Sequence, residues 1–322
     1  MASPDVTILD VGHGNCAVIR DHDHVVVVDG GTGTTLLQFL ASEGISVVDV
    51  VLVSHADRDH IVGVTTLLSQ QDITVGSVYV NPDPRDGDVW LEFRQALADA
   101  RRRNGTIPIP HLNINDSAEL VFDDVQLEVI HPDPISVLAT PQGRDTDGHQ
   151  LTANRISAVL RLLFQGEPQV LFTGDVDQVG LTQSIARFRS AVAPVLVFPH
   201  HGGGSGANGR SFARQLCELV QPTRVVFSIG RSPANPQPAI VEGVREASPD
   251  IYIGCTQLSS RCAAILPMTA ATHLLALAAA GRARNSCCLG TVQISLNAGP
   301  SGPSKESHDA FVDLFADALC RT

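Results

Sequence analysis

Two histidines and two aspartates stand within six residues in the run His55-Ala-Asp57-Arg-Asp59-His60. An apolar stretch, Val51-Leu-Val-Ser54, leads into them, and a helical pattern follows. Imidazole and carboxylate are the ligands of borderline and harder divalent metals. A tight turn can send His55 and Asp57 to one side and Asp59 and His60 to the other, so that two ions share one loop. The structural alternative is a polar turn whose aspartate caps the helix. Charged turns are common, but two His and two Asp at this spacing are not.

Two further apolar runs end in ligand-type residues. Leu171-Phe-Thr-Gly-Asp175 ends in a carboxylate that can bridge two cations. Val195-Leu-Val-Phe-Pro-His200-His201-Gly ends in paired imidazoles ahead of flexible glycines. Gly-Asp alone is usually a turn. Adjacent histidine side chains usually diverge, which leaves one for metal and one for substrate. The three clusters reinforce one another because each sits where a strand pattern stops.

Those patterns are numerous. Short β-branched runs at 6–11, 25–28, 48–53, 75–80, 125–130, 156–164, 170–172, 195–198, 225–229 and 251–253 have strand length and are mostly bounded by Gly, Pro, Asp or Asn. Helical patterns cover 34–43, 60–69, 90–103, 179–188, 209–220 and 240–247. Many strands have no helix between them. Two packed sheets with helices outside therefore fit better than one doubly wound parallel sheet. Residues 132–154 read as a long loop, 300–305 as a linker, and the last stretch as an amphipathic helix bearing Phe311, Leu314, Phe315, Ala318 and Leu319.

The 322 residues are 43% hydrophobic and 17% charged, enough for a large aliphatic core and against global disorder. A net charge of −12 argues against a general nucleic-acid binder, although bound metal can invert the sign at a site. The basic run Arg101-Arg102-Arg103 suits a helix C-terminus better than a phosphate site. The longest apolar stretch, 263–280, is broken by Pro267, Thr269, Thr272 and His273 and reads as core or appendage rather than a membrane span. The start of the chain lacks the basic and apolar regions of a signal peptide, so a cytoplasmic protein is expected.

Taken in order, Asp10-Val-Gly-His13-Gly-Asn15, Val28-Asp29-Gly30-Gly31, His55 to His60, Thr173-Gly-Asp175 and Pro199-His200-His201-Gly202 resemble the metallo-β-lactamase superfamily. Within it the pattern is most similar to the hydrolase domain of the ComEC competence proteins, which share the aspartate at position 57 and the Pro-His-His-Gly motif. The resemblance covers roughly residues 5 to 255. It implies an α/β (α+β) fold, a four-layer αββα sandwich over 1–254, with a small Cys-containing appendage over 255–322. It also implies two divalent ions, zinc or manganese. His55 and Asp57 would hold the first and Asp59 and His60 the second, with Asp175 bridging and His201, in preference to His200, completing the second. His200 would then face the substrate.

The chain departs from the family where a third histidine for the first ion is expected, roughly twenty residues before the bridging aspartate. Asn154 stands there, and His131 or His149 are the substitutes. His13 replaces a glutamine of the ComEC-like motif and can touch substrate or make a structural hydrogen bond. Asp57 in place of histidine makes the first site harder, which favours manganese over zinc.

The expected chemistry is two-metal hydrolysis of a phosphodiester, most naturally in nucleic acid, with Asp59 orienting the attacking water and His200 protonating the leaving oxygen. The alternatives are hydrolysis of a small phosphoester, cyclic nucleotide or lactone, or a subunit role in a larger defence or DNA-processing assembly. The 322 residues hold no counterpart of the ComEC membrane channel, so DNA uptake by this chain alone is not expected. Cys255, Cys262, Cys287 and Cys288 are candidates for one structural zinc, with buried free thiols as the alternative. The appendage carrying them is a candidate surface for a protein partner.

Overall fold

A computed structural model of the chain describes residues 3–85, 87–146, 148–204, 208–268, 271–297 and 304–321. Two sheets face each other. The first has seven strands in the order β13-β1-β2-β3-β4-β5-β6. These are β1 (Asp5–Ile8), β2 (Ala17–Asp21), β3 (His24–Val28), β4 (Val47–Val53), β5 (Thr74–Val80), β6 (Ile107–Ile109) and β13 (Val292–Ser295). The second has six in the order β12-β11-β10-β9-β8-β7. They are β7 (Val125–His131), β8 (Val159–Phe164), β9 (Glu167–Phe172), β10 (Val195–Val197), β11 (Arg224–Phe227) and β12 (Tyr252–Cys255).

Period-two alternation decides which side chains go where. In β4, Leu52 turns towards the second sheet, while Val51 and Val53 face the helices. Leu52, Phe172, Val197, Leu160 and Ile294 help fill the space between the sheets. Helices α1 (Thr35–Ser42), α2 (Arg58–Leu68) and α3 (Asp88–Asn104) cover the outer face of the first sheet through Leu36, Phe39, Leu67 and Phe93. On the second sheet, α7 (Gly209–Val220) and α8 (Pro238–Ala247) pack Phe212 and Ile240 against Phe198 and Phe227. The result is the four-layer αββα sandwich.

Both sheets mix strand directions. The run β3 to β6 is parallel, and so is β9 to β12. Crossover helices return the chain each time, so the carboxyl ends of β3, β4, β9 and β10 share one edge. Ligand-bearing loops gather at such edges in open α/β sheets.

Several elements differ from expectation. The 132–154 loop contains a short helix, α4 (Pro134–Ala139). The 179–188 pattern is two short helices, α5 (Gln178–Gln183) and α6 (Ile185–Ser190), broken at Ser184. The described part of 263–280 has no α-helix, and no helix among the described residues is long and apolar enough to cross a membrane. Of the terminal stretch expected as one amphipathic helix, only Phe311 falls within α9 (Lys305–Val312), where it packs into the core of the second sheet; Leu314, Phe315, Ala318 and Leu319 lie beyond the helix, and Leu314 is exposed. Residues 300–303 of the expected linker lie outside the described residues.

The segment 255–322, expected as an appendage, is stitched into the sandwich. Its β13 pairs antiparallel with β1, with Ile294 opposite Val6. Buried Asp10 ties it further, accepting from Gln257 Nε2 at 2.8 Å and from the Gly281 amide at 2.9 Å. The alternating sequence Val292-Gln-Ile-Ser295 is short and isolated, so its strand character depends on the β1 edge it covers. Ile294→Ala should cost about 2–4 kcal/mol of stability in urea denaturation, as a buried core truncation does. A free-standing appendage would leave the stability of the sandwich unchanged.

Candidate metal centre

The site is built on strand ends. After β3, Asp29 adopts a left-handed conformation (φ 56°) and turns its carboxylate under the next loop. Its Oδ1 accepts from the Ser54 amide at 2.8 Å, and its Oδ2 from the Ser54 hydroxyl at 2.8 Å. The same Oδ2 lies 2.8 Å from His60 Nδ1. That bond places a hydrogen on Nδ1 and turns Nε2 towards the site.

Helix α2 starts at Arg58, so Asp59 and His60 stand in its first turn. A close backbone crossing holds it there. The Gly63 amide donates to the Gly31 carbonyl at 2.9 Å, and a Cβ on Gly63 would lie 1.9 Å from the Gly30 oxygen. Asp57 occupies the N-cap position, yet its side chain caps nothing. Its Oδ2 instead lies 3.5 Å from His55 Nε2, and its Oδ1 accepts from Arg85 Nη2 at 2.6 Å.

Asp175 follows β9 and sits at the centre. Its Oδ2 lies 3.9 Å from His55 Nε2 and 3.5 Å from His200 Nδ1. Its Oδ1 lies 3.5 Å from His60 Nε2 and 3.8 Å from His201 Nε2. Asp59 Oδ2 approaches His201 Nε2 at 3.0 Å and His13 Nε2 at 3.4 Å. The ligand atoms of His55, His60 and Asp175 lie within 4.8 Å of one another, as do those of His13, Asp59 and His201.

The adjacent histidines were expected to diverge. They converge because both adopt left-handed backbone angles, His200 at φ 52° and His201 at φ 55°. Non-glycine residues rarely do so, at a cost of order 1–3 kcal/mol each. The His201 Nδ1–H donates to the Ser228 carbonyl at 2.7 Å, which aims Nε2 at Asp59.

Burial opposes charge on Asp57, Asp59, Asp175 and His60, and their partners overcome it. Burial would raise the Asp57 pKa, yet His55 and Arg85 hold it at about 2. Burial also pushes Asp59 up, but His201 and His60 take it below the usual carboxylate range. For Asp175 the imidazoles of His201 and His60 outweigh burial and depress it strongly. For His60 the order inverts: burial favours the neutral ring, while Asp29 and Asp175 hold a proton on it. Metal must displace that proton, so loading weakens as pH falls.

A divalent metal fits this donor set. His55 Nε2 and His60 Nε2 are buried polar atoms without a hydrogen-bond partner. Both point at carboxylate oxygens, where a cation would satisfy imidazole and carboxylate together.

The six expected ligands His55, Asp57, Asp59, His60, Asp175 and His201 thus come together, and His13 joins them. His131 and His149 do not. His131 is buried elsewhere: its Nε2–H donates to the Arg155 carbonyl at 2.6 Å and its Nδ1 accepts from the Ser184 hydroxyl at 2.8 Å. His149 pairs with Asp145 at 3.0 Å in the long loop. Asn154 is half-buried, and its backbone carbonyl accepts from the Ser157 amide at 3.2 Å. Where a third histidine was expected, Ser157 lies behind His55 instead, its Oγ 3.2 Å from Nδ1 and accepting from the Asp175 amide at 2.9 Å.

The four-cysteine zinc site is not assembled. Cys287 and Cys288 point apart, the first to Asp10 Oδ2 at 3.4 Å and the second to His308 Nε2 at 3.1 Å. No cysteine belongs to a converging ligand group among the described residues, and all seven are free thiols.

Sequence reasoning gave no role to Asp29, Ser157 or Arg85. Asp29 was visible in the Asp-Gly-Gly turn; Ser157 and Arg85 had no local signal. Arg85 is anchored by buried Asp83, with its Nε 2.8 Å from Asp83 Oδ2, and reaches across to Asp57 at the rim.

Residues 9–139 match the family model described as Metallo-beta-lactamase superfamily. The chain is also similar to a larger protein. It is 25% identical over 255 residues to ComE operon protein 3 of Bacillus subtilis (strain 168), a match spanning 71% of this chain and 28% of that protein. Among solved structures, it is similar to the metallo-beta-lactamase fold protein YhfI of Bacillus subtilis (TM-score 0.47, 14% identity, 78% of this chain and 96% of that one). It is also similar to the metallo hydrolase Igni18 of Ignicoccus hospitalis (TM-score 0.42, 16% identity, 76% and 91%).

Two tests follow from the geometry. Asp29→Ala frees the His60 ring and should weaken metal binding about 10–100-fold in competition with a chelating dye. His131 tests the separate buried imidazole. Burial lowers its pKa from 6.5 to about 4, against the pull of the Arg155 carbonyl. The unfolded chain therefore takes the proton first, so its contribution is full above about pH 6.5 and is lost as pH falls towards 4. The urea-stability gap between wild type and His131→Gln should shrink by about 3 kcal/mol across that window.

Proposed function

We propose that the chain is a dinuclear metal-dependent hydrolase of phosphodiesters, with nucleic acid as the leading substrate. The observation that carries the dinuclear reading is the pair of partnerless buried Nε2 atoms, on His55 and His60, aimed at the two different oxygens of Asp175. Each oxygen thereby marks one ion position. Two divalent ions there would supply Lewis acidity and a water activated near neutral pH.

His55, Asp57 and Asp175 would hold the first ion. We assign a fourth protein ligand of that ion, in place of the missing histidine, to His200, whose Nδ1 approaches the same Asp175 oxygen as His55 does. Asp59, His60, Asp175 and His201 would hold the second. His200 is then withdrawn from the proton-donor role expected of it. His13 is better placed: its side chain is 55% exposed at the mouth and its ring packs at a tilt against His201, with centroids 4.5 Å apart. Asp59, 3.4 Å from His13 Nε2, orients that ring and the nucleophile's side of the pocket. Arg85 steadies Asp57 and brings a cation to the rim, where a phosphate oxygen would arrive.

The substrate class rests on the ComEC-like resemblance. A small phosphoester or cyclic nucleotide is the second reading, favoured by the net charge of −12 and by the place of the basic run. Arg103 donates to the Leu68 and Gln70 carbonyls at the far end of α2, about 12 Å of helix away from His60.

The test is an assay of single-stranded DNA, duplex DNA, RNA and cyclic nucleotides with manganese or zinc, alongside metal analysis. Asp175→Ala should lower hydrolysis by about two orders of magnitude or more, with loss of metal. His13→Asn should slow hydrolysis with metal content retained, whereas His200→Asn should lose metal. Hydrolysis of cyclic nucleotides alone would select the second reading. Full activity in Asp175→Ala would reject the metal mechanism.

A further inference from the structure

A second group of ligand-type side chains lies at the opposite end of the sandwich. Asp21 ends β2, His22 stands in the β2–β3 turn, and Asp124 immediately precedes β7 of the other sheet. The metal centre follows the far end of β3, so the two places are about 20 Å apart along that strand.

The geometry is that of an incomplete coordination shell. His22 Nε2 lies 3.0 Å from Asp124 Oδ2 and 3.9 Å from Asp21 Oδ1. The ligand atoms of the three residues lie within 4.8 Å of one another. His22 is held in place by a left-handed backbone (φ 54°), and Asp124 by Gln165 Nε2 at 3.2 Å from the β8–β9 turn.

Asp21 supplies the independent observation. It is only 2% exposed, and its two oxygens are treated very differently. Oδ2 accepts from the amides of Asp124 at 2.7 Å and Val125 at 2.9 Å. Oδ1 is buried, has no hydrogen-bond partner, and faces His22. A buried carboxylate oxygen without a donor is costly, and the remedy is a cation. At 3.9 Å the imidazole is too far to donate a hydrogen bond to it. A metal ion between Asp21 Oδ1, His22 Nε2 and Asp124 Oδ2 would satisfy all three.

We propose that Asp21, His22 and Asp124 form a second, structural site for a divalent transition metal, which clips the two sheets together at the edge away from the hydrolytic centre. One imidazole and two carboxylates suit manganese or zinc, and their summed charge of −2 is neutralised by one such ion. The site is partly open, with the His22 and Asp124 side chains 34% and 32% exposed, so the ion can exchange and water can complete its shell.

The probe is manganese alone, which avoids the seven thiols, and bound ions are counted by equilibrium dialysis and by the electron paramagnetic resonance of free manganese. His22→Ala and Asp124→Asn alter exposed turn residues and should fold normally. Each should bind one ion fewer than wild type, lose part of the manganese-induced rise in melting temperature, and retain hydrolytic activity. A His55→Ala/Asp175→Ala variant should keep this ion while losing those of the hydrolytic centre, which separates the two proposals. An unchanged ion count and thermal shift in His22→Ala and Asp124→Asn would overturn the site. So would the absence of bound manganese from the His55→Ala/Asp175→Ala variant.

Discussion

The structure depends on burying a carboxylate, Asp175, among four imidazoles. Ionised side chains leave water only when their charge is answered nearby. Here His55, His60, His200 and His201 surround the two oxygens, and Asp57 and Asp59 bring two more negative charges within reach. A proton on a ring, as on His60, answers part of that charge, but a divalent cation would answer imidazoles and carboxylates together. The cluster is therefore a cation receptor in its charge and lone-pair arithmetic. The left-handed turns at Asp29, His200 and His201 are its conformational cost, sustained because strands on either side leave the loops little freedom.

Everything that touches Asp175 reaches it from a strand end or a first helical turn. This explains the tight backbone contact between Gly63 and Gly30. The helix must approach β3 closely enough for His60 to meet both Asp29 beneath it and Asp175 in front of it. A side chain at either glycine would lift the helix and break both contacts. The hydroxyls of Ser54 and Ser157 play the matching role for His55, with Nδ1 at 3.1 and 3.2 Å.

The late part of the chain closes the sandwich and also supports the mouth of the site. Asp10 accepts from Gly12 and Gln257, linking the turn that carries His13 to the segment after β12. Burial pushes the Asp10 pKa up, and the donors from Gln257, Gly281 and Gly12 act against it. Ser228, which receives the His201 proton donor through its carbonyl, sends its own hydroxyl to the Gly14 carbonyl at 2.7 Å. His13 and His201 are thus positioned by one connected hydrogen-bond system spanning both sheets.

The amino-acid sequence by itself determined the local parts. The β-branched runs, the helical periodicities and the ligand-rich stops at His55 to His60, Asp175 and His200-His201 were legible, because a strand's face and a turn's composition are short-range properties. So was the resemblance that joined them into one sandwich. Only the tertiary structure decided which distant groups meet. The isolated alternation at 292–295 becomes a strand because β1 has an open edge. Two adjacent histidines converge because their backbone is forced left-handed. Cys287 and Cys288, neighbours in the chain, part towards Asp10 and His308. Each of these outcomes depends on a partner elsewhere in the chain or on a dihedral angle set by packing, and neither is encoded in the spacing of the residues concerned.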